Sequence, residues 1–154
     1  MKPAAVLVRY WLPVVIWAAM IFTASSDSQS YHHSSLFFEP LVRWLFPHLP
    51  PATVEEIHHL FRKLCHLTEY AILGWLFWRA IRRPVKNDPR PWDWAEAGLA
   101  LALVFAYAAS DEFHQIFVPT RTALVSDVFI DTSGGLIALV ILWLRHQWGR
   151  ARRA

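Results

Sequence analysis

The sequence predicts an all-α, polytopic membrane protein with four transmembrane helices and an interfacial segment after the first helix. Of its 154 residues, 55% are hydrophobic and 18% are charged, and the mean hydropathy is +0.27, which excludes a disordered chain. Nine Trp, ten Phe and four Tyr are typical of a protein with aromatic rings at a membrane boundary. The length allows one domain, residues 1–154, and the single cysteine excludes an internal disulfide.

Four apolar stretches predict the transmembrane helices, at about residues 4–24, 64–82, 96–118 and 127–145. A bilayer core takes about 20 residues of apolar helix, and the charge-free parts of the last three stretches are shorter than that. Each of these three therefore crosses only if nearby polar residues are drawn into the membrane. A soluble bundle of buried helices is the alternative, but residues 97–109 and 132–144 are apolar on every side and leave no face for water.

The first stretch has a second interpretation, as a secretory signal peptide. Its small residues at 23–26 resemble a cleavage region, and cleavage would leave three helices. Pro13 and the bulky Trp11 and Trp17 make a poor signal core and favour a first helix that is retained.

The distribution of basic residues predicts the orientation. With the N-terminus inside, 11 of the 15 Lys and Arg residues fall in inner segments, whereas most acidic residues fall outside. This positive-inside bias predicts that both termini lie in the cytoplasm. The basic residues form no single patch, so they indicate contact with anionic lipid and not with nucleic acid.

The outer segment between the first two spans is long enough to contain structure. Residues 36–46 are densely apolar but are interrupted by Glu39, Pro40 and Arg43, which predicts an interfacial segment too short to cross. The sequence from Thr53 to Glu56 matches a capping box, so a helix is expected to begin there and continue into the second span. The histidines of this segment are expected to be exposed loop residues, with a metal-binding tract as the alternative.

Polar residues line one face of each of the last three spans, at the end predicted to be outside. The second span has Lys63, His66, Glu69 and Tyr70; the third has Tyr107, Asp111, His114 and Gln115; the fourth has Asp127 and Asp131. Glu112 is turned by about 100° from Asp111. Small residues at 133–135 permit close helix packing below the acids of the fourth span.

Carboxylates and histidines within a bilayer are costly unless they are paired or lie in a wet cavity, so the three faces predict a functional pocket. The alternative is polar helix ends at the level of the lipid head groups, where the cost is small. His66 beside Glu69 or Asp111 suits a general base, and Arg121 with Lys63 suits an anion. A divalent cation held by the three aspartates is a further option. Ser110, Ser25 and water remain as nucleophiles.

The motif residues resemble the VanZ-like family of bacterial membrane proteins. The family's pattern, roughly KxxHxxxY followed by DExxQxFxPxR, D and (N/D)xxG, is matched by these residues: Lys63, His66, Tyr70, Asp111, Glu112, Gln115, Phe117, Pro119, Arg121, Asp127, Asp131 and Gly134. The resemblance extends from about residue 16 to 144, and residues 22–26 look like the end of the family's first helix. Thr120 and Arg62 depart from the pattern but have no proposed chemical role.

The resemblance implies a protein of the bacterial inner membrane with a role in the cell envelope, without fixing a reaction. The family's namesake is linked to resistance to the glycopeptide teicoplanin, and the family has been proposed to join enzymes that process lipid head groups. One hypothesis is a lipid head-group hydrolase or transferase, with His66, Glu69 and Asp111 as catalytic residues. Its binding residues would be Lys63, Tyr70, Glu112, Gln115, Arg121, Asp127 and Asp131. The other hypothesis is an envelope protein that binds a lipid or glycopeptide without turnover.

Overall fold

The computed structural model describes residues 3–26, 30–85, 88–118 and 124–152, and the described chain is helical with no strand. The first helix, α1, consists of an α-helical turn at Pro3–Val6, a π-helical segment at Leu7–Trp11 and an α-helix at Leu12–Ser26. The other helices are α2 (Ser30–Leu45), α3 (Pro51–Arg82), α4 (Trp94–Gln115) and α5 (Val125–Ala151). The all-helical prediction is confirmed.

Helix α3 begins earlier than the capping box predicted. It starts at Pro51, with Pro50 before it, and Thr53 is already inside the first turn. Proline is favoured at the first helical position because its missing N–H has no intrahelical partner there and its fixed φ suits the helix. Asp93 provides the side-chain cap of α4, accepting hydrogen bonds from the backbone N–H groups of Ala95 and Glu96. Helix α4 ends at Gln115, three residues before the predicted end of the third span.

The interfacial segment forms helix α2, which packs against the first turns of α3. Phe38 of α2 stacks on the imidazole of His58 and on Phe61, with ring centroids 5.1 and 4.6 Å apart. The prediction that the histidines of this segment are exposed loop residues is wrong for His58, which is fully buried in α3. The pKa of His58 is lowered mainly by burial and, to a smaller extent, by the nearby positive charge of Arg62. His48 and His59 are exposed, and the side chains of His32 and His33 lie outside the described residues.

Helix α3 packs against every other described helix and most extensively against α5, and α4 and α5 also pack against each other. Its contact with α5 is made by glycines: a Cβ on Gly134 would overlap the carbonyl oxygen of Leu67, and one on Gly74 would lie 2.8 Å from the Cα of Gly135. The fully buried Val104 of α4 lies against Gly135. The small residues therefore allow the three helices to approach at backbone distance, as the sequence predicted for the fourth span.

Large apolar side chains cover the outside of the bundle. Leu99 and Phe105 of α4, and Leu136 and Leu144 of α5, are each about half exposed. Two described helices, Ala4–Ser25 and Val125–Ala151, are long and apolar enough to cross a membrane, with only 17% and 22% of their apolar windows buried. Core helices of soluble proteins pass the same length and hydropathy test but are mostly buried. A signal sequence near the N-terminus passes this test too, so the four membrane crossings remain a prediction.

The end of the bundle opposite Ser25 is held together by ion pairs. Arg82, only 4% exposed, donates to Glu96 at 2.8 Å and to the backbone carbonyls of Arg90 and Pro91. Arg90 in turn donates to Asp88 at 2.7 Å and to the carbonyl of Arg82. These bonds fix the connection between α3 and α4. The hydrogen bonds from Arg90 lower the pKa of Asp88 to about 2.

Candidate functional site

The polar faces of three helices meet at the carboxylate of Asp111. Ser25 of α1 donates to Asp111 Oδ2 at 2.6 Å, and Tyr70 of α3 donates to the same oxygen at 3.3 Å. Gln115, one turn after Asp111 on α4, donates to Ser25 Oγ at 3.0 Å and to Asp111 Oδ2 at 3.3 Å. We refer to these four residues as the Asp111 cluster.

The Asp111 cluster is shielded from solvent. Tyr70 is fully buried, and Ser25, Asp111 and Gln115 are 1%, 2% and 6% exposed. The second carboxylate oxygen, Asp111 Oδ1, is buried and accepts no hydrogen bond from the described residues. A buried carboxylate oxygen without a donor carries a desolvation cost of about 1–3 kcal/mol or more. This oxygen is therefore a place where a donor from a ligand, a water molecule or an undescribed residue would bind favourably.

Two further carboxylates lie beside the cluster. Asp131 of α5 is 3% exposed and has electrostatic interactions with Asp111 and Glu112. Its side chain accepts no hydrogen bond from the described residues. Glu112 is 7% exposed and accepts a hydrogen bond from the backbone N–H of Leu124 at 2.9 Å, which links α4 to the start of α5. As the helical rotation predicted, Glu112 does not share the hydrogen bonds of Asp111.

A partly exposed pair, His66 and Glu69, lies next to the cluster on α3. Nδ1 of His66 is 3.7 Å from Oε2 of Glu69, and the two side chains are 29% and 32% exposed. Glu69 also interacts electrostatically with Asp111. The indole N–H of Trp17 on α1 donates to the Glu69 carbonyl at 2.9 Å, which fixes α1 against this turn. The structure thus brings His66 together with Glu69, one of the two carboxylates considered for it.

The remaining polar residues of α4 fix this helix against α1. Tyr107 donates to the carbonyl of Ala18 at 2.6 Å, and the His114 ring lies 4.5 Å from that of Phe22. Ser110 is exposed and donates to the carbonyl of Tyr107 in its own helix at 2.7 Å. Of the two serines considered as nucleophiles, only Ser25 therefore joins the cluster.

Three of the predicted binding residues lie at the edge of the site or beyond the described structure. Lys63 is exposed and contacts no partner among the described residues. Asp127 is half-buried in the first turn of α5, where Ser126 donates to it at 3.3 Å. Arg121 lies outside the described residues. No three His, Cys, Asp or Glu side chains in the described part of the chain are arranged to hold a metal ion, so the cation option has no ligand set there.

The Asp111 cluster lies within the part of the chain that matches a known family. The family model described as VanZ/LLP1 matches residues 10–146. The chain belongs to the VanZ-like family. The match confirms the resemblance drawn from the motif residues. No curated protein and no solved structure matches this VanZ-like chain.

Ser25 is the member of the cluster that sequence reasoning did not select as a site residue. The signal was present, since the small polar residues at 23–26 end the first helix in the VanZ-like pattern. Nothing in the sequence, however, distinguished Ser25 from Ser110, because both are single hydroxyls near the same end of the predicted bundle. The contact between Ser25 and Asp111 spans 86 positions along the chain and became visible only in the structure.

Proposed function

We propose that this VanZ-like protein crosses the bacterial inner membrane four times and handles a lipid head group at the Asp111 cluster. Both termini would lie in the cytoplasm, and the cluster would lie at the outer leaflet. The apolar outer surface of α4 and α5 supports embedding in lipid. The separation of the acidic end from the arginine-rich end supports the orientation, because Lys and Arg are retained on the cytoplasmic side. Tyr70 and Arg82 mark these ends on α3, about 18 Å apart along the helix.

The observation that carries the proposal is the partly exposed His66–Glu69 pair beside the buried Asp111 carboxylate, which accepts several hydrogen bonds. Glu69 would orient the imidazole of His66, which would then exchange a proton with a head group reaching the site from the bilayer. Lys63 and Arg121 would hold the phosphate of that head group. Asp111 would position the helices that surround the reaction. The substrate class is a phospholipid or a lipid-linked cell-envelope intermediate.

A specific observation favours the second candidate, a binding protein without turnover. Ser25, the serine of the cluster, is 1% exposed and is engaged as both donor and acceptor. Ser110 is bonded to its own helix. A hydroxyl nucleophile in reach of a lipid is therefore missing from these two positions, and an enzyme would have to use water. In the binding alternative the same residues retain a lipid head group or a lipophilic glycopeptide such as teicoplanin.

Lipid mass spectrometry on the purified protein tests the two candidates. The experiment compares three proteins before and after incubation with the retained lipid: wild type, His66→Ala and His48→Ala. His48→Ala is the matched control, because it removes an exposed histidine remote from the cluster in sequence. If the protein is an enzyme, wild type and His48→Ala should convert the lipid, whereas His66→Ala should retain it unchanged. A lipid retained unchanged by all three proteins supports the binding candidate. Retention of no lipid by any of them refutes both.

A second pair of variants tests the assigned roles. Arg121→Ala should weaken retention of an anionic lipid more than His66→Ala does, because Arg121 is assigned to the phosphate and His66 to the proton. Equal losses in the two variants would contradict this division.

Topology is tested separately with a reporter fused after residue 154, which should read cytoplasmic. An outside signal would place the Asp111 cluster at the inner leaflet instead.

A further inference from the structure

Two arginines at the end opposite the Asp111 cluster flank one buried tyrosine ring. The guanidinium carbons of Arg79 and Arg9 lie 5.0 and 5.6 Å from the centroid of Tyr10, which is 5% exposed. Arg79 belongs to the last turn of α3, and Arg9 belongs to the π-helical segment of α1. Arg9 is exposed and Arg79 is half-buried.

The local backbone explains why Arg79 is held at this position. In an α-helix the carbonyl of Arg9 would accept from the N–H of residue 13, but residue 13 is proline and has no N–H. Arg79 Nη1 donates to that carbonyl at 3.1 Å. The π-helical segment Leu7–Trp11 ends two residues before Pro13, and such segments frequently mark functional sites. The arrangement fixes the Arg79 side chain against α1 and leaves its charge without a counter-ion.

The charges of these two arginines are uncompensated, unlike those of their neighbours. Arg82 is paired with Glu96, and Arg90 is paired with Asp88. Arg9 and Arg79 have no carboxylate partner among the described residues. Their surroundings are apolar, since Leu7, Val8 and Leu12 are 66%, 62% and 46% exposed on α1. Two cations beside an apolar surface match the two parts of an anionic lipid, a phosphate and its acyl chains.

We propose that Arg9, Tyr10 and Arg79 form a binding site for the phosphate of an anionic phospholipid in the leaflet opposite the Asp111 cluster. The two guanidinium groups would donate to the phosphate oxygens, and Leu7, Val8 and Leu12 would contact the acyl chains. The inference rests on the membrane location proposed above but not on the chemistry of His66. It assigns α1 a second function, because the helix that supplies Ser25 to one end of the bundle supplies Arg9 to the other.

The test is native mass spectrometry of the full chain titrated with phosphatidylglycerol or with phosphatidylcholine of the same acyl chains. Wild type should prefer phosphatidylglycerol, and Arg9→Gln and Arg79→Gln should each lower its affinity about tenfold, the effect of one charge-assisted hydrogen bond. The matched control is Arg145→Gln, which removes an exposed arginine without a described partner from the same end of the bundle, where the neighbouring His146 contacts the Arg90 carbonyl. This control should bind as wild type does.

Several results would overturn the proposal. An equal loss in the Arg145→Gln control would mean that only the overall charge attracts the lipid. Equal binding of phosphatidylcholine and phosphatidylglycerol would exclude recognition of an anionic lipid. If Arg9→Gln bound phosphatidylglycerol as tightly as wild type does, Arg9 would not be part of the site. Displacement of the lipid by inorganic phosphate alone would identify a free phosphate site.

Two further variants separate this site from folding and from the Asp111 cluster. Arg79→Gln also removes the bond to the Arg9 carbonyl and can unfold the protein, whereas the Arg9 side chain makes no described hydrogen bond. Arg9→Gln therefore keeps the test valid, and Arg9→Lys should restore most of the binding. His66→Ala should leave phosphatidylglycerol binding at this site unchanged, so failure here and failure of the proposed function are distinguishable.

Discussion

Replacing Gly134 with alanine tests whether the close contact between α3 and α5 is required for the fold. A Cβ at this position would overlap the carbonyl oxygen of Leu67 and would lie 3.1 Å from the Leu67 carbonyl carbon and 3.2 Å from the Ala71 nitrogen. All three atoms belong to the backbone of α3, so no side-chain rotation relieves the overlap. The helices must separate by about 1 Å to restore ordinary contact distances.

The cost of Gly134→Ala follows from two opposing effects. Overpacking a tight site costs typically about 1–3 kcal/mol, and a backbone overlap belongs at the upper end of that range. Alanine gains about 1 kcal/mol over glycine in a helix interior. The expected net loss is about 2 kcal/mol. Because Asp131 lies one turn before Gly134, and Tyr70 lies between Leu67 and Ala71, the separation should also loosen the Asp111 cluster.

Unfolding of the purified protein in detergent, followed by far-ultraviolet circular dichroism, measures this loss. Gly98→Ala is the matched control, since a Cβ on Gly98 of α4 meets no atom within 4 Å. The control should be as stable as wild type or more stable by up to about 1 kcal/mol. If Gly134→Ala were as stable as Gly98→Ala, the close packing of α5 on α3 would be refuted.

Two further predictions concern hydrogen bonds at the two ends of the bundle. Ser25→Ala should lower the free energy of unfolding by about 1–3 kcal/mol, because it leaves a buried oxygen of Asp111 and the Gln115 amide with fewer partners. Ser110→Ala should stay within about 0.5 kcal/mol of wild type in the same assay, and similar losses in both would argue against the cluster. Asp88, with its pKa lowered from 3.8 to about 2, contributes stability above its ordinary pKa and loses it as the pH falls towards 2. Asp88→Asn should abolish this part of the acid dependence of the melting temperature, and an unchanged profile would contradict the role of the Arg90 hydrogen bonds.

The sequence predicted the features of the fold that depend on local pattern. Helical class follows from hydropathy over short windows and is confirmed, and α1 and α4 lie within three residues of the predicted 4–24 and 96–118, whereas α5 continues six residues beyond 145. The polar face of α4 was predicted from its spacing, and Asp111 and Gln115 are indeed buried together. Thr53 and His58 were misassigned because Pro51 begins the helix earlier and α2 covers its first turns. The earlier helix start cannot be predicted from the capping motif alone, and the burial of His58 by α2 cannot be predicted from the number of histidines in the segment.

The sequence by itself determined that this chain is a helical, strongly apolar protein of the VanZ-like family. Only the tertiary structure decided that Ser25 donates to Asp111, that His66 lies beside Glu69 and that Arg9 and Arg79 share the Tyr10 ring. The reason is physical. Residue spacing fixes which side chains share one helical face, but contacts between helices depend on their rotation and separation, which small residues such as Gly134 set here.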